Sequence, residues 1–412
     1  MSEIRDIKLA KSGRQKIEWV KKYMPVLSML EGENKDKKPL AGLNITVCIH
    51  LEAKTAYLCE VLGACGAKVT AAGSNPLSTQ DDVVAALVEG GTEVFATHGC
   101  TEEEYYGYLE KALDTKPDII MDDGGDLVHM LHTSKRELIP RIKGASEETT
   151  TGVLRLKAME KQGKLEIPVI PVNDAECKYM FDNRYGTGQS VWDGIMRTTN
   201  LIMAGKRVVI AGYGWCGKGA AQKARGLGAR VIITEINHRK AIEAIMDGFE
   251  VMTMEEASKV GDIFLTLTGC DNVINEKHFK NMKDGVILAN AGHFDCEVNV
   301  AKLREISVSA KEMRANVTGY EQKDGRILNV IAEGRLVNLA SGDGHPAEIM
   351  DMSFALQFLA LKYIAEQGDK LKVGINNLPY ALDYGVAIKK LEAMGGAVDI
   401  LTEEQRKYLY GE

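Results

Sequence analysis

The segment Gly205-Lys-Arg-Val-Val-Ile-Ala-Gly-Tyr-Gly-Trp-Cys-Gly-Lys-Gly219 constrains the fold of this chain more than any other stretch. A strand-like apolar run enters Gly212-x-Gly214-x-x-Gly217, and a helix-like run leaves it. Gly212 permits a tight turn, Gly214 lets the backbone approach a pyrophosphate, and Gly217 allows helix and strand to pack closely, with the phosphates over the helix N-terminus. The next apolar run, Ala229–Thr234, ends on Glu235. That is about 20 residues past the glycines, where an acid holds the adenine-ribose hydroxyls. The spacing predicts a Rossmann unit that binds NAD. Glu235 repels a 2′-phosphate, whereas Lys240 beside it gives a basic edge that leaves some access to NADP.

This unit starts late, at Gly205 of 412 residues, so another folded unit precedes it. The length exceeds what one core organises and implies two or three domains. Hydrophobic content of 45% and charged content of 26% are those of an ordinary globular protein. A net charge of −7 without basic runs argues against nucleic-acid and membrane partners, which leaves a small-molecule substrate. The N-terminus has no apolar signal core, and no run of about 18 apolar residues occurs, so a cytoplasmic protein is expected. The cysteines (48, 59, 65, 100, 177, 216, 270 and 296) include no Cys-x-x-Cys pair and are expected to be reduced and mostly buried. His129 and His132 could share a helix face, but no further ligand completes a set, and no metal is expected.

After a helix expected over 8–32, apolar runs alternate with helical stretches. Leu43–Ile49, Ala67–Ala71, Glu93–Ala96 and Asp118–Met121 form one series; Val208–Ala211, Val231–Thr234, Ile263–Leu267, Val286–Ala289 and Ile327–Ala332 form a second. The rhythm predicts an α/β protein with two doubly wound parallel-sheet domains. The first comprises residues 1–187 and 343–385, the Rossmann domain 188–342 is inserted into it, and a short helical tail covers 386–412. The two crossings suggest a hinge of the kind that closes over ligands.

Polar clusters sit at the ends of the first series of runs, where open α/β sheets place ligands: His50–Lys54, Asn75–Asp82, Asp122–Asp126, Glu147–Gly152 and Asn173–Asn183. Taken singly, each reads as structural; Asp122–Asp126 could be a capped turn and Thr149–Thr151 a helix cap. Their joint occurrence points to a site.

Ser78-Thr-Gln-Asp81, Asp122-Asp-Gly-Gly-Asp126, Glu147-Glu-Thr-Thr-Thr-Gly152, Phe181-Asp-Asn183, Ala211-Gly-Tyr-Gly214, Gly292-His-Phe-Asp295, Glu333-Gly-Arg-Leu-Val-Asn338 and Gly344-His-Pro346 occur in this order. In these motifs the chain resembles the S-adenosylhomocysteine hydrolases from about residue 5 to 410. The resemblance implies a tetramer of subunits with a substrate domain, a cofactor domain and a dimerisation tail, and an NAD⁺ that is reduced and reoxidised within each turnover. Oxidation at C3′ makes the C4′ proton acidic; its loss expels homocysteine by β-elimination, water adds at C5′, and the hydride returns.

The resemblance places Lys178 and Asp182 at the 3′-hydroxyl, with Lys178 a base if a buried cationic setting lowers its pKa. It places Asp123 near C4′ and C5′, His50 and His293 at the proton on sulfur or water, Glu148 on the ribose hydroxyls and Asn183 on the nicotinamide side. Cofactor contacts carried over are Thr149, Thr150, Thr151, Gly212, Gly214, Gly217, Glu235, Asn290 and Asn338, and His345 lines the purine pocket. The chain also departs from the pattern. It ends at Gln405-Arg-Lys-Tyr-Leu-Tyr-Gly-Glu412, without the lysine- and tyrosine-bearing extension of many relatives, so NAD is expected to exchange more easily. Asp343 replaces an apolar residue. In His50-Leu-Glu52-Ala-Lys54-Thr55-Ala, Glu52 and Lys54 replace the threonine and the glutamate or glutamine that read adenine. An ammonium offers only donors and suits a 6-oxo purine, while Glu52 could accept from its N1–H, so S-inosyl-homocysteine is favoured over the adenosyl compound. The bland alternative pairs Glu52 with Lys54 and leaves adenine to the backbone. An NAD-dependent dehydrogenase and a non-catalytic NAD-binding protein are remoter readings.

Overall fold

The computed structural model describes residues 2–411, and two sheets organise them. The first contains β1 (Asn44–Cys48), β2 (Lys68–Ala72), β3 (Glu93–Phe95), β4 (Ile119–Asp122), β5 (Gly144–Glu147) and β6 (Pro168–Pro171), in the order β6-β5-β4-β1-β2-β3. A short strand from near the C-terminus, Gly374–Ile375, pairs with β6, and every pairing in this sheet is parallel. The second sheet contains β7 (Arg207–Ala211), β8 (Arg230–Thr234), β9 (Glu250–Val251), β10 (Ile263–Thr266), β11 (Ile287–Asn290), β12 (Ser309–Arg314), β13 (Val317–Glu321) and β14 (Ile327–Ile331), in the order β12-β13-β14-β11-β10-β7-β8-β9. It is parallel from β14 to β9, while β13 runs antiparallel to both β12 and β14.

In each sheet the strand order reverses beside the first strand, between β1 and β4 and between β7 and β10. The crevice at such a point is where open α/β sheets bind ligands, because the loops diverge to opposite faces there. The inner strands are apolar and buried on both faces, as parallel strands covered by helices must be.

Several elements differ from the sequence expectations. The helix expected over 8–32 is two helices, Ala10–Lys21 and Pro25–Asn34, because proline disfavours helical backbone at the residue before it and starts a new helix itself. β5 and β6 are short runs interrupted by glycine, serine and proline, and β12 is largely exposed and charged, so none of the three carries a long apolar signal. Four cysteines are buried, but Cys100 and Cys216 are half-buried and Cys270 and Cys296 exposed, so "mostly buried" does not hold. The first crossing between the sheets is helical throughout: a π-helical segment, Tyr179–Gly186, runs directly into the helix Thr187–Thr199.

That crossing packs on the helix Trp215–Gly226 through glycines. A Cβ on Gly219 would lie 1.7 Å from the Arg184 carbonyl oxygen, and one on Gly188 would lie 2.7 Å from the Gly219 carbonyl carbon. Trp192 Nε1 fixes the same contact by donating to the Ala220 oxygen at 2.9 Å. After the second sheet the chain returns to the first: the helix Ala347–Gln367 buries Phe354, Leu356, Phe358 and Leu361 in its core. There Asp351 accepts from the free N–H groups of Val26 and Leu27 and from Lys390 Nζ, tying both ends of the chain to one buried carboxylate.

Candidate active site

One cavity lies where the two sets of loops meet, and its walls come from both. The turn after β1 and the first residues of the helix that follows it bring His50, Glu52, Lys54 and Thr55; the segments after β4 and β5 bring Asp123 and Glu148–Thr151; Lys178, at the N-cap of the π segment, and Asp182 and Asn183 within it complete this wall. From the second sheet come His293 and Asn338, and His345 enters from the return crossing. Gly212, Gly214, Gly217, Glu235 and Asn290 do not line this space. The first four form the dinucleotide turn and its partner acid beside β7 and β8.

The π segment explains one cluster. Its wider turn brings positions four and five apart to one side. Lys178 Nζ thereby donates to Asn183 Oδ1 at 2.8 Å and lies 3.3 Å from Asp182 Oδ2. It also donates to Asn173 Oδ1 at 3.3 Å and lies 3.5 Å from Glu148 Oε1. Burial alone pulls the Lys178 ammonium down, but Asp182 and Glu148 outweigh it and hold the pKa above its ordinary value. The setting is therefore anionic, not the cationic one on which the base reading depended. Burial pushes Asp182 up, but Lys178, the paired His345 Nδ1 and Ser353 Oγ, which donates at 2.9 Å, hold it well below the usual carboxylate range. Burial pushes Glu148 up to about 7, against the pull of Lys178 and of Gln357, whose Nε2 donates to it at 2.6 Å.

A second cluster faces the first. Asp123, fully buried, has His50 Nε2 at 3.3 Å from one oxygen and His293 Nδ1 at 3.8 Å from the other. Ser74 Oγ donates to the first oxygen at 3.3 Å, while the second, Oδ1, has no hydrogen-bond partner. A buried acceptor without a donor costs free energy, so this oxygen is poised for a ligand's donor. Burial lowers His50 to about 4, so it is neutral at physiological pH, with Nδ1 held by Ser78 Oγ at 2.7 Å. His293 closes over Gly124 so tightly that a Cβ on that glycine would lie 2.2 Å from its Nε2.

Glu52 and Lys54 are buried in the cavity wall and pair with each other at 2.7 Å. Glu52 caps the helix Ala53–Ala64, accepting from the Lys54 and Thr55 N–H groups, and Lys54 Nζ also donates to the Asp343 carbonyl at 2.9 Å. Thr55 Oγ1 donates to the His50 carbonyl. Thr149 accepts from Gly152 N–H as the cap of Thr150–Lys161, and Thr150 Oγ1 donates to Asn173.

The residues also fit a dinucleotide. A Cβ on Gly217 would meet the Gly212 oxygen at 2.0 Å, so the turn closes only with glycine there, and Gly212 has φ +99°, the left-handed region. Glu235 is oriented by N–H groups of Tyr213, Ile236 and Asn237. Asn338 Oδ1, buried at the cavity, lacks a partner. Asn290 is instead spent within the chain, its Nδ2 holding the Gly292, Phe294 and Gly334 carbonyls and so fixing the loop that carries His293.

Sequence reasoning missed several members of the site. Ser74, Gln357 and Ser353 hold Asp123, Glu148 and Asp182, and Thr187 and Cys216 line the cavity with Oγ1 and Sγ 3.6 Å apart. Gln357 and Ser353, buried polar residues within the otherwise apolar stretch Met352–Leu361, carried the one local signal. His132 proves structural, its Nδ1–H donating to the Val128 carbonyl and its Nε2 accepting from Glu166 N–H.

A family model described as S-adenosyl-L-homocysteine hydrolase, NAD binding domain, matches residues 183–344, and one described as S-adenosyl-L-homocysteine hydrolase matches residues 1–139. The adenosylhomocysteinase of Thermococcus kodakarensis is 57% identical over 406 residues, covering 98% of this chain and 96% of that one. This chain belongs to the S-adenosyl-L-homocysteine hydrolase family. Within the family it is also similar to the S-inosyl-L-homocysteine hydrolases of Methanococcus maripaludis, 56% identical, and Methanocaldococcus jannaschii, 55% identical, each over 409 residues and covering 99% of this chain and 98% of the relative. Membership makes it an NAD-dependent hydrolase of an S-nucleosyl-homocysteine. No helix among the described residues is long and apolar enough to cross a membrane.

Proposed function

We propose that the chain cleaves the C5′–S bond of S-inosyl-L-homocysteine, giving inosine and homocysteine. The observation that carries the reading is Lys54, a buried ammonium in the cavity wall. It gives N–H groups to Glu52 and to the Asp343 carbonyl, and an ammonium has three donors and no acceptor, so the remaining one suits a 6-oxo group. The Glu52–Lys54 pair itself favours a second reading, S-adenosyl-L-homocysteine, because Glu52 already has donors on both oxygens.

In the proposed assignment the bound dinucleotide supplies the hydride acceptor and donor for C3′. Lys178 and Asp182 flank the 3′-oxygen. With its ammonium held protonated, Lys178 acts there as the partner of developing negative charge, and only a positive charge bound beside it would convert it into a proton acceptor. Asn183 fixes Lys178 and faces the nicotinamide side. Glu148 accepts from the ribose hydroxyls, and Asp123, His50 and His293 surround C4′, C5′ and sulfur. A neutral His50 serves as the group that exchanges the proton of thiol or water. Thr55 and His345 complete the purine end. Thr149, Thr150, Thr151, Gly212, Gly214, Gly217, Glu235 and Asn338 would hold the dinucleotide, with Asn290 bracing the loop before it.

The same reading divides the chain into a substrate domain, 1–187 and 343–385, a cofactor domain, 188–342, and a tail, 386–412, and makes it a cytoplasmic homotetramer. Exposed apolar side chains in the tail support self-association: Ile400 is 83% and Tyr408 89% exposed. Incubation with S-inosyl-homocysteine is expected to release free thiol with no net absorbance gain at 340 nm; net NADH formation without thiol would replace the hydrolase reading with the dehydrogenase one.

A pH effect arises from Glu148. Ionised, it accepts from hydroxyls at both oxygens, whereas protonation turns one of them into a donor; with a pKa near 7 in the free enzyme, kcat/KM should fall about tenfold per unit as pH drops below about 7. Glu148→Gln should flatten that limb at a lowered plateau. An unchanged profile in the variant would remove Glu148 from this role.

A further inference from the structure

Lys240 lies on the third position of the helix His238–Met246, the helix that follows Glu235. Its side chain reaches back over the dinucleotide turn, where a Cβ on Gly214 would lie 4.0 Å from Nζ. Gly214 is the N-cap of the 12-residue helix Trp215–Gly226, whose first N–H groups have no acceptor inside the helix. A cation is disfavoured at that positive end, and no carboxylate among the described residues pairs with the Lys240 ammonium. The nearby basic group Lys218, by contrast, is paired with Glu243 at 2.6 Å. Glu235, at the end of β8, is committed to the N–H groups of Tyr213, Ile236 and Asn237.

An unpaired ammonium and unpaired helix N–H groups that converge on one glycine share one solution, an anion between them. We propose that Lys240 binds the pyrophosphate of NAD. The alternative anion, a 2′-phosphate, would lie beside the fixed Glu235 carboxylate, which repels it. Lys240 thus strengthens the hold on NAD from the protein's own chain and does not extend the site to NADP. The contact is exposed and charge-assisted, so its effect is modest and weakens with salt.

The test is calorimetric titration of nucleotide-free enzyme, comparing the native protein with Lys240→Met and Lys240→Arg. NAD⁺ and ADP are each expected to bind about 3- to 10-fold more weakly to Lys240→Met, adenosine equally, and Lys240→Arg should restore most of the loss. Equal NAD⁺ and ADP affinities in native and Met proteins would overturn the proposal. So would a matching loss with adenosine, which lacks phosphate. A larger loss with adenosine 2′,5′-bisphosphate than with ADP would move the contact to the 2′-phosphate and overturn it as well. Because Lys240 is exposed and unpaired, the unliganded Tm of each variant should match the native value, and a lowered Tm with unchanged relative affinities would count against a ligand role.

Discussion

Lys178→Ala is expected to retain bound NAD⁺ yet lose turnover by about 10²- to 10³-fold, the range seen when one positioned donor to developing negative charge is removed. In the folded chain Lys178 Nζ meets Asn183, Asn173, Asp182 and Glu148, so it organises four polar side chains at one point. Its removal leaves Asp182 and Glu148 as buried carboxylates without their shared cation, and the sign of the resulting change is fixed. Both pKa values rise, because Lys178 lowers each of them in the native site. The 3′-oxygen then lacks a cationic donor as charge develops on it. Rapid mixing should show no reduction of bound NAD⁺ by substrate, while the nucleotide released on denaturation stays at the native amount. Normal partial reduction in the variant would dismiss Lys178 from the redox step. Lys178→Arg serves as a control: it preserves charge but not the compact ammonium geometry and should recover only part of the loss.

Native enzyme should prefer S-inosyl- to S-adenosyl-homocysteine in kcat/KM by about 10- to 100-fold. A buried donor left facing a donor costs roughly 1–3 kcal/mol, and sites built around a polar group reject analogues that cannot pair with it. Adenine presents its 6-amino donors toward Lys54, whereas hypoxanthine presents an acceptor. The double variant Glu52→Thr, Lys54→Gln should reverse the preference. Both members must change together, because Lys54→Gln alone strips Glu52 of its 2.7 Å partner and leaves a buried charge. Equal values for the two substrates in native enzyme, or an adenosyl preference, would overturn the inosyl reading and leave the hydrolase assignment intact.

Much of the architecture was readable because parallel strands buried on both faces are continuous apolar runs. Leu43–Ile49 and Val208–Ala211 announced β1 and β7 within a residue or two at each end. β5, β12 and β13 were not, since short, polar or edge strands draw their stability from the neighbours they pair with, and that pairing has no local signature. The break before Pro25 was legible in principle, because the cause is covalent.

The site divides along the same line. Sequence alone determined the glycine turn, its acid Glu235 and the identities of the polar residues at the strand ends, because ring size, side-chain length and charge are properties of single residues. Only the tertiary structure decided the electrostatics. Lys178 looked like a base whose pKa a cationic pocket would lower, and it sits instead between Asp182 and Glu148, 30 residues earlier in the chain. Glu52 and Lys54 could each have faced a purine, and folding joined them to each other and to the Asp343 carbonyl, 289 positions from Lys54. A group's charge state depends on burial and on the charges within a few ångströms, and those neighbours are chosen by the packing of distant segments.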